Sequence, residues 1–207
     1  LLRPIREALA DGTGTPCLTG LIGSGSAFLL TLLASSENRK TTPSRSWLLV
    51  TASQEAAEQL FDDLLFFHTL LDLPSERLTL FPAWELLPYQ STTPHVQVIA
   101  KRMRALLRLS HGDPTVLVTC SQAILQRLLP GEIFRTSIVS LKLNQTIGRE
   151  DLVARPLRLG YRQASVVEIP GEFSIRGGIV DIYSTAYDDP LRIEFLGDTV
   201  ESIRCFD

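Results

Sequence analysis

Cysteine is scarce in this 207-residue chain, and Cys17, Cys120 and Cys205 are far apart with no paired spacing. That excludes a disulfide framework and a cysteine-based zinc site, and it fits small buried hydrophobes in a reducing cytoplasm. Histidine is as rare. His68, His95 and His111 have no metal-ligand spacing, so no metal is expected. There is no excess of basic charge either: a net charge of −3 gives no electrostatic footprint for wholesale nucleic-acid binding. No apolar run approaches the ~20 residues of a membrane-spanning helix, and the first residues lack the order of a signal peptide. Internal repeats and low-complexity segments are also missing. What the chain does have is apolar material, 44% of its residues, ample for a packed core. The length suits one or two domains.

Read in order, residues 2–10 form a short helix ending at Asp11-Gly12, and 16–21 read as a buried strand running into Gly20-Leu21-Ile22-Gly23-Ser24-Gly25-Ser26-Ala27. An apolar helical stretch, 28–34, follows. Strand, glycine loop and helix is the setting of a phosphate-binding loop. On the pattern G-x-x-x-x-G-K-[ST], however, Gly20 and Gly25 fit, while the lysine position holds Ser26 and the metal-hydroxyl position Ala27. The charge for the phosphates and the ligand for Mg²⁺ are both lost. The loop, with Gly20, Gly23, Gly25, Ser26 and Ala27, reads as a retired nucleotide site, and no cofactor or catalytic residue is expected.

Strands are expected at 47–51, 78–81 and 115–119, with a helix from Ser53 as N-cap to about Leu71. A second long helix opens at Pro94 and ends before Gly112. Lys101, Arg102, Arg104 and Arg108 crowd its second half, suiting either the helix C-terminus or phosphate contact. Ser121 caps a short helix ending near Pro130. Alternation of strands and helices to that point indicates a parallel α/β sheet. Beyond it strands predominate, so a boundary divides 1–130 from 131–207. In the second part 138–143 alternate like a strand, and 149–159 are helical by pattern, with Pro156 expected to kink or split that helix.

The stretch 171–207 organises the second part. It holds two β-patterned runs, 179–183 and 191–196, joined by a turn-rich segment with Asp188-Asp189-Pro190. Gly177-Gly178 before the first run permits a bulge or a close backbone approach. Arg176 and Arg192 are isolated cations among eight carboxylates in this stretch. Two readings stand: intrachain ion pairs or solvated side chains, and directional pairing with a partner's carboxylates.

Several runs together resemble one family. They are Phe81-Pro82-Ala83-Trp84-Glu85-Leu86-Leu87-Pro88-Tyr89, Thr93-Pro94-His95, Leu159-Gly160-Tyr161, and Pro170-Gly171-Glu172-Phe173-Ser174-Ile175-Arg176-Gly177-Gly178 continuing to Ile182. With Arg192-Ile193-Glu194-Phe195 and Ile203-Arg204-Cys205-Phe206-Asp207 they are similar to the bacterial transcription-repair coupling factors (Mfd) in the region related to UvrB. UvrB itself fits less well, because the chain lacks its G-K-T loop and its long aromatic hairpin. The resemblance implies a UvrB-like domain 1a, a degenerate helicase-like α/β fold, over 1–130, and a UvrB-like domain 2 over 131–207. It implies a non-catalytic adaptor in the cytoplasm that recruits UvrA to stalled RNA polymerase, with an ATP-dependent helicase domain as the rival. It also implies that the chain is the N-terminal piece of a longer protein whose C-terminal domain masks this surface. The RNA polymerase contacts and the ATP-driven DNA translocase would lie elsewhere in that protein. The family's UvrA-contacting arginines fall on Arg176 and Arg192, and its phenylalanine position holds Leu196.

Overall fold

The structure, a computed structural model, describes residues 2–11, 15, 17–35, 45–84 and 94–206. Its backbone divides into two compact units, one of residues 1–83 with 112–125 and one of 84–111 with 126–207. Mixed α/β character belongs to both.

In the first unit, α1 (Arg3–Asp11) and α2 (Gly25–Ser35) precede β1 (Trp47–Thr51), α3 (Gln54–Leu70) and β2 (Leu78–Phe81). The chain leaves for α4 (Val96–His111), which packs with the second unit, and returns as β3 (Val116–Cys120) and α5 (Ser121–Leu125). The sheet is parallel with order β1-β3-β2. β3 is central and its Val118 and Cys120 are fully buried, as a strand flanked on both edges requires. α3 begins where Ser53 accepts from the Ala56 amide at 3.2 Å, so the hydroxyl satisfies an amide the helix cannot. Its Ala57 and Leu64 are buried, and Phe67 meets Phe28 of α2 at 5.1 Å between ring centres.

The expected strand at 16–21 does not form. Pro16 lies outside the described residues; 17–21 are exposed and have no sheet partner among them, and the apolar side chains that suggested a buried strand, Leu18 and Leu21, face solvent. Residues 85–93, which carry part of the family motif, lie outside the described residues.

The second unit contains α6 (Gly131–Ser137), α7 (Arg149–Arg158), and a five-stranded sheet of β4 (Arg162–Gln163), β5 (Glu172–Arg176), β6 (Ile179–Ile182), β7 (Leu191–Leu196) and β8 (Thr199–Cys205) in that spatial order. β4 runs parallel to β5, and the other neighbours are antiparallel. Alternation sends Val180, Ile193, Phe195 and Val200 to one face, where Leu152 of α7 covers them. Burying each such side chain stabilises the fold by roughly 1.5–3 kcal/mol. The expected strand at 138–143 is irregular chain. Its alternation is nonetheless real, since Val139 and Leu141 pack against this core from outside the sheet. Pro156 does not split α7. It sits in the last turn, where its carbonyl accepts from the Leu159 and Tyr161 amides at 3.0 and 2.9 Å.

Candidate functional site

β6 and β7 place Asp181 directly opposite Arg192. The face they share is the one turned away from Leu152, since their neighbours Val180 and Ile193 point into the core. Arg176 ends β5 on the same face, two residues from Ser174, whose partner is Asp181. Three guanidinium–carboxylate hydrogen bonds meet at one residue. Arg192 donates from Nε to Oδ1 at 2.7 Å and from Nη2 to Oδ2 at 2.8 Å, and Arg176 donates from Nη2 to Oδ2 at 2.5 Å. Asp181 is only 1% exposed, whereas the side chains of Arg192 and Arg176 are 26% and 55% exposed. A buried anion thus holds two cations that reach the surface.

The electrostatics follow from that geometry. Hydrogen bonds from Arg192, and after burial's opposing pull those from Arg176, keep the Asp181 carboxyl below the usual range. Arg192 is raised in turn by its hydrogen bond to Asp181. The ring of Phe206 lies 4.7 Å from the Arg192 guanidinium carbon, covering one face of the cation. Leu196 closes β7 on the outer face, 73% exposed. Gly178 has the close backbone approach its sequence permits: a Cβ there would lie 2.9 Å from the Phe195 carbonyl oxygen. Arg176, Arg192 and Leu196 therefore share one face. The two arginines are not the isolated cations of the sequence reading, because one carboxylate of their own chain joins them.

That carboxylate was missed, and its signal was present. An aspartate inside Val180-Asp181-Ile182 interrupts a β-run where only a satisfied charge is tolerated. Nearby, Glu194 of β7 accepts from Ser202 at 2.7 Å and from Arg204 of β8. At the other edge Arg162 pairs with Glu172, whose carboxyl is lowered first by that arginine and then by the Glu168 amide.

The basic helix α4 is not a free phosphate-binding surface. Arg102 is fully buried, stacked 4.2 Å from the Trp84 ring centre and donating to Gln126 at 3.1 Å. Arg104 donates to the carbonyls of Thr185 and Tyr187 at 3.1 and 2.9 Å and pairs with Asp188. Lys101 remains exposed. In the glycine loop, Gly20 and Gly23 have φ of 83° and 55°, and Gly25 opens α2. Ser26 is half-buried and Ala27 has no exposed surface. No group of three or more His, Cys, Asp or Glu suited to a metal occurs among the described residues. No helix of the described residues is long and apolar enough to cross a membrane.

The strands that carry this face lie in a stretch that matches a known family. Residues 139–207 match the family described as the UvrB interaction domain. The chain is 38% identical over 160 residues to the transcription-repair-coupling factor of Myxococcus xanthus, covering 76% of this chain and 13% of that protein. With the Bacillus subtilis (strain 168) factor it shares 30% over 204 residues, 99% of this chain and 16% of that one. The Staphylococcus aureus (strain USA300) factor is 28% identical over 196 residues, 95% of this chain and 16% of its own length. The chain thus spans between about an eighth and a sixth of the curated relatives it matches.

Proposed function

The chain is a homologue of the transcription-repair-coupling factors and carries a UvrB interaction domain at 139–207, and from that premise we propose that it is a non-catalytic adaptor whose outer β-face binds UvrA. Residues 1–130 then correspond to a degenerate, helicase-like UvrB domain 1a and 131–207 to UvrB domain 2. Arg176, Arg192 and Leu196 form the contact. The observation that carries this reading is the buried Asp181 holding two surface arginines inside the matched domain. It orients the guanidiniums before a partner arrives, so less side-chain freedom is lost on binding. Recruitment of UvrA to a stalled RNA polymerase, with a DNA translocase supplied by other parts of a longer protein, extends the same proposal to the whole factor.

Calorimetric titration of UvrA into the 207-residue chain is the direct test. Wild type should bind, and Arg176→Ala or Arg192→Ala should weaken binding at least about tenfold, roughly 1.4 kcal/mol. Leu196→Ala should do less, and Leu196→Phe should tighten the complex by restoring aromatic area. Wild type that fails to bind UvrA, or arginine variants that bind it normally, would place the adaptor surface elsewhere.

A further inference from the structure

β8 sets Arg204 directly opposite Arg192. In an antiparallel pair such residues have Cβ atoms ~4.5–5.5 Å apart, and like charges so placed destabilise the sheet. The fold holds each arginine on its own carboxylate, Arg192 on Asp181 and Arg204 on Glu194. Those pairs do not balance. Among the described residues of this cluster Arg176, Arg192 and Arg204 are three cations and Asp181 and Glu194 two anions, which leaves one surplus positive charge. Arg204 is also open to solvent, its side chain 57% exposed.

We propose that Arg204 is a third anchor of this face, and that the face takes a protein surface presenting carboxylates. One acceptor from the partner neutralises the surplus charge, with Arg192 and Arg204 on either side of it. Glu194 positions Arg204 as Asp181 positions Arg192, and its second acceptor bond, to Ser202, fixes the carboxylate itself. A protein surface fits better than a phosphodiester backbone for two reasons. The bare side chain of Leu196 lies on the same face, and among the described residues of the cluster one charge is uncompensated, too few for strong counterion release.

The inference rests on the UvrA-binding reading, so UvrA is the probe. Arg204→Gln in the full 207-residue chain should weaken UvrA binding about five- to tenfold with an unchanged melting temperature. Arg204→Lys should fall between wild type and Gln, since the charge returns but the planar fork does not. In a double-mutant cycle, Arg204→Gln with Arg192→Ala should be non-additive, as two groups on a shared acceptor must be. If Arg192→Ala weakens binding and Arg204→Gln does not, the third anchor is wrong and the UvrA-binding reading survives. If neither variant changes binding, both fall. A loss that tracks a lowered melting temperature makes Arg204 structural. A loss seen with duplex DNA in place of UvrA makes the face a phosphate site. Either outcome overturns the inference.

Discussion

A carboxylate with 1% of its surface in water stays ionised only because donors replace that water, and Asp181 has three. The two arginines that supply them are unequal. Arg192 gives two bonds and is the more buried; Arg176 gives one and is more than half exposed. Arg192→Ala should therefore destabilise the second unit by about 1.5–3 kcal/mol, because it strips a buried anion of most of its donors. Arg176→Ala should cost under about 1 kcal/mol. Chemical denaturation of the two variants checks the order, and equal costs would mean the bonds do not divide as drawn. Binding losses in Arg192 variants must then be read against folded fraction, so Arg176→Ala is the cleaner test of UvrA contact. The sign with acid follows. The Asp181 carboxyl is lowered on folding from 3.8, so its stabilisation is complete above that value and is lost as pH falls through the folded pKa. His68 behaves similarly in a nearer range. It is buried, its Nδ1 3.1 Å from the Pro74 carbonyl, and burial first, then Arg77, depress it from 6.5 against the pull of that carbonyl. The unfolded chain binds the proton more readily, so the stability His68 confers is present above 6.5 and lost as pH falls below it. Melting of the first unit should drop as pH falls below 6.5, and His68→Gln should flatten that drop. An unchanged slope in the variant would assign the effect to other groups.

Among the elements, the β6–β7 hairpin depends most visibly on one residue. Gly178 receives the Phe195 amide at its carbonyl, 2.8 Å, while a Cβ on it would meet the Phe195 oxygen at 2.9 Å. Gly178→Ala must move backbone against backbone, so a cost of about 1–3 kcal/mol is expected, with the outer face distorted as well. A melt within experimental error of wild type would show that the strand simply shifts. The close approach was legible from the Gly177-Gly178 pair, as were β6, β7, α3 and its Ser53 cap, because periodicity and capping are local properties. The two strands expected but not found share a cause, which is that pairing partners are not local. The stretches expected as strands at 16–21, described from residue 17 on, and at 138–143 have strand-like patterns but no strand beside them among the described residues. β5 and β8 are different, because their partners are local: each joins its neighbour through a two-residue turn, with Arg176 opposite Ile179 across Gly177-Gly178 and Leu196 opposite Thr199 across Gly197-Asp198. α6 has no side-chain cap to announce it: Pro130 stands at its N-cap position and Gly131 opens it. Ser121 does not cap α5; it opens that helix and its hydroxyl donates to Ala52 at 3.1 Å. At the candidate site the arginines and Leu196 were legible through family motifs. Asp181 and the Arg204–Glu194 pair required the register, which places residues about ten apart in the chain side by side.

At the scale of the whole chain, the question is whether the first α/β unit has any nucleotide chemistry. We expect none, and the packing around the glycine loop gives a reason beyond the missing side chains. Ala27 stands where a phosphate loop places the hydroxyl that holds Mg²⁺, yet it has no exposed surface and its carbonyl accepts from Thr31 at 2.9 Å. A threonine there would press a hydroxyl into filled space, at a cost of about 1–3 kcal/mol, instead of offering it to a metal. Ser26, half-buried at the start of α2, supplies no positive charge for the β- and γ-phosphates. Purified chain should therefore release no phosphate from ATP above background, with or without DNA. The double variant Ser26→Lys, Ala27→Thr should remain inactive and melt at a lower temperature than wild type. Phosphate release and calorimetric ATP titration on both proteins, beside thermal melts, make the comparison. Turnover in the wild type that disappears when Gly20 or Gly25 is replaced would sink the idea. So would turnover gained by the double variant at undiminished stability, because the loop would then be a working phosphate site that two substitutions had silenced.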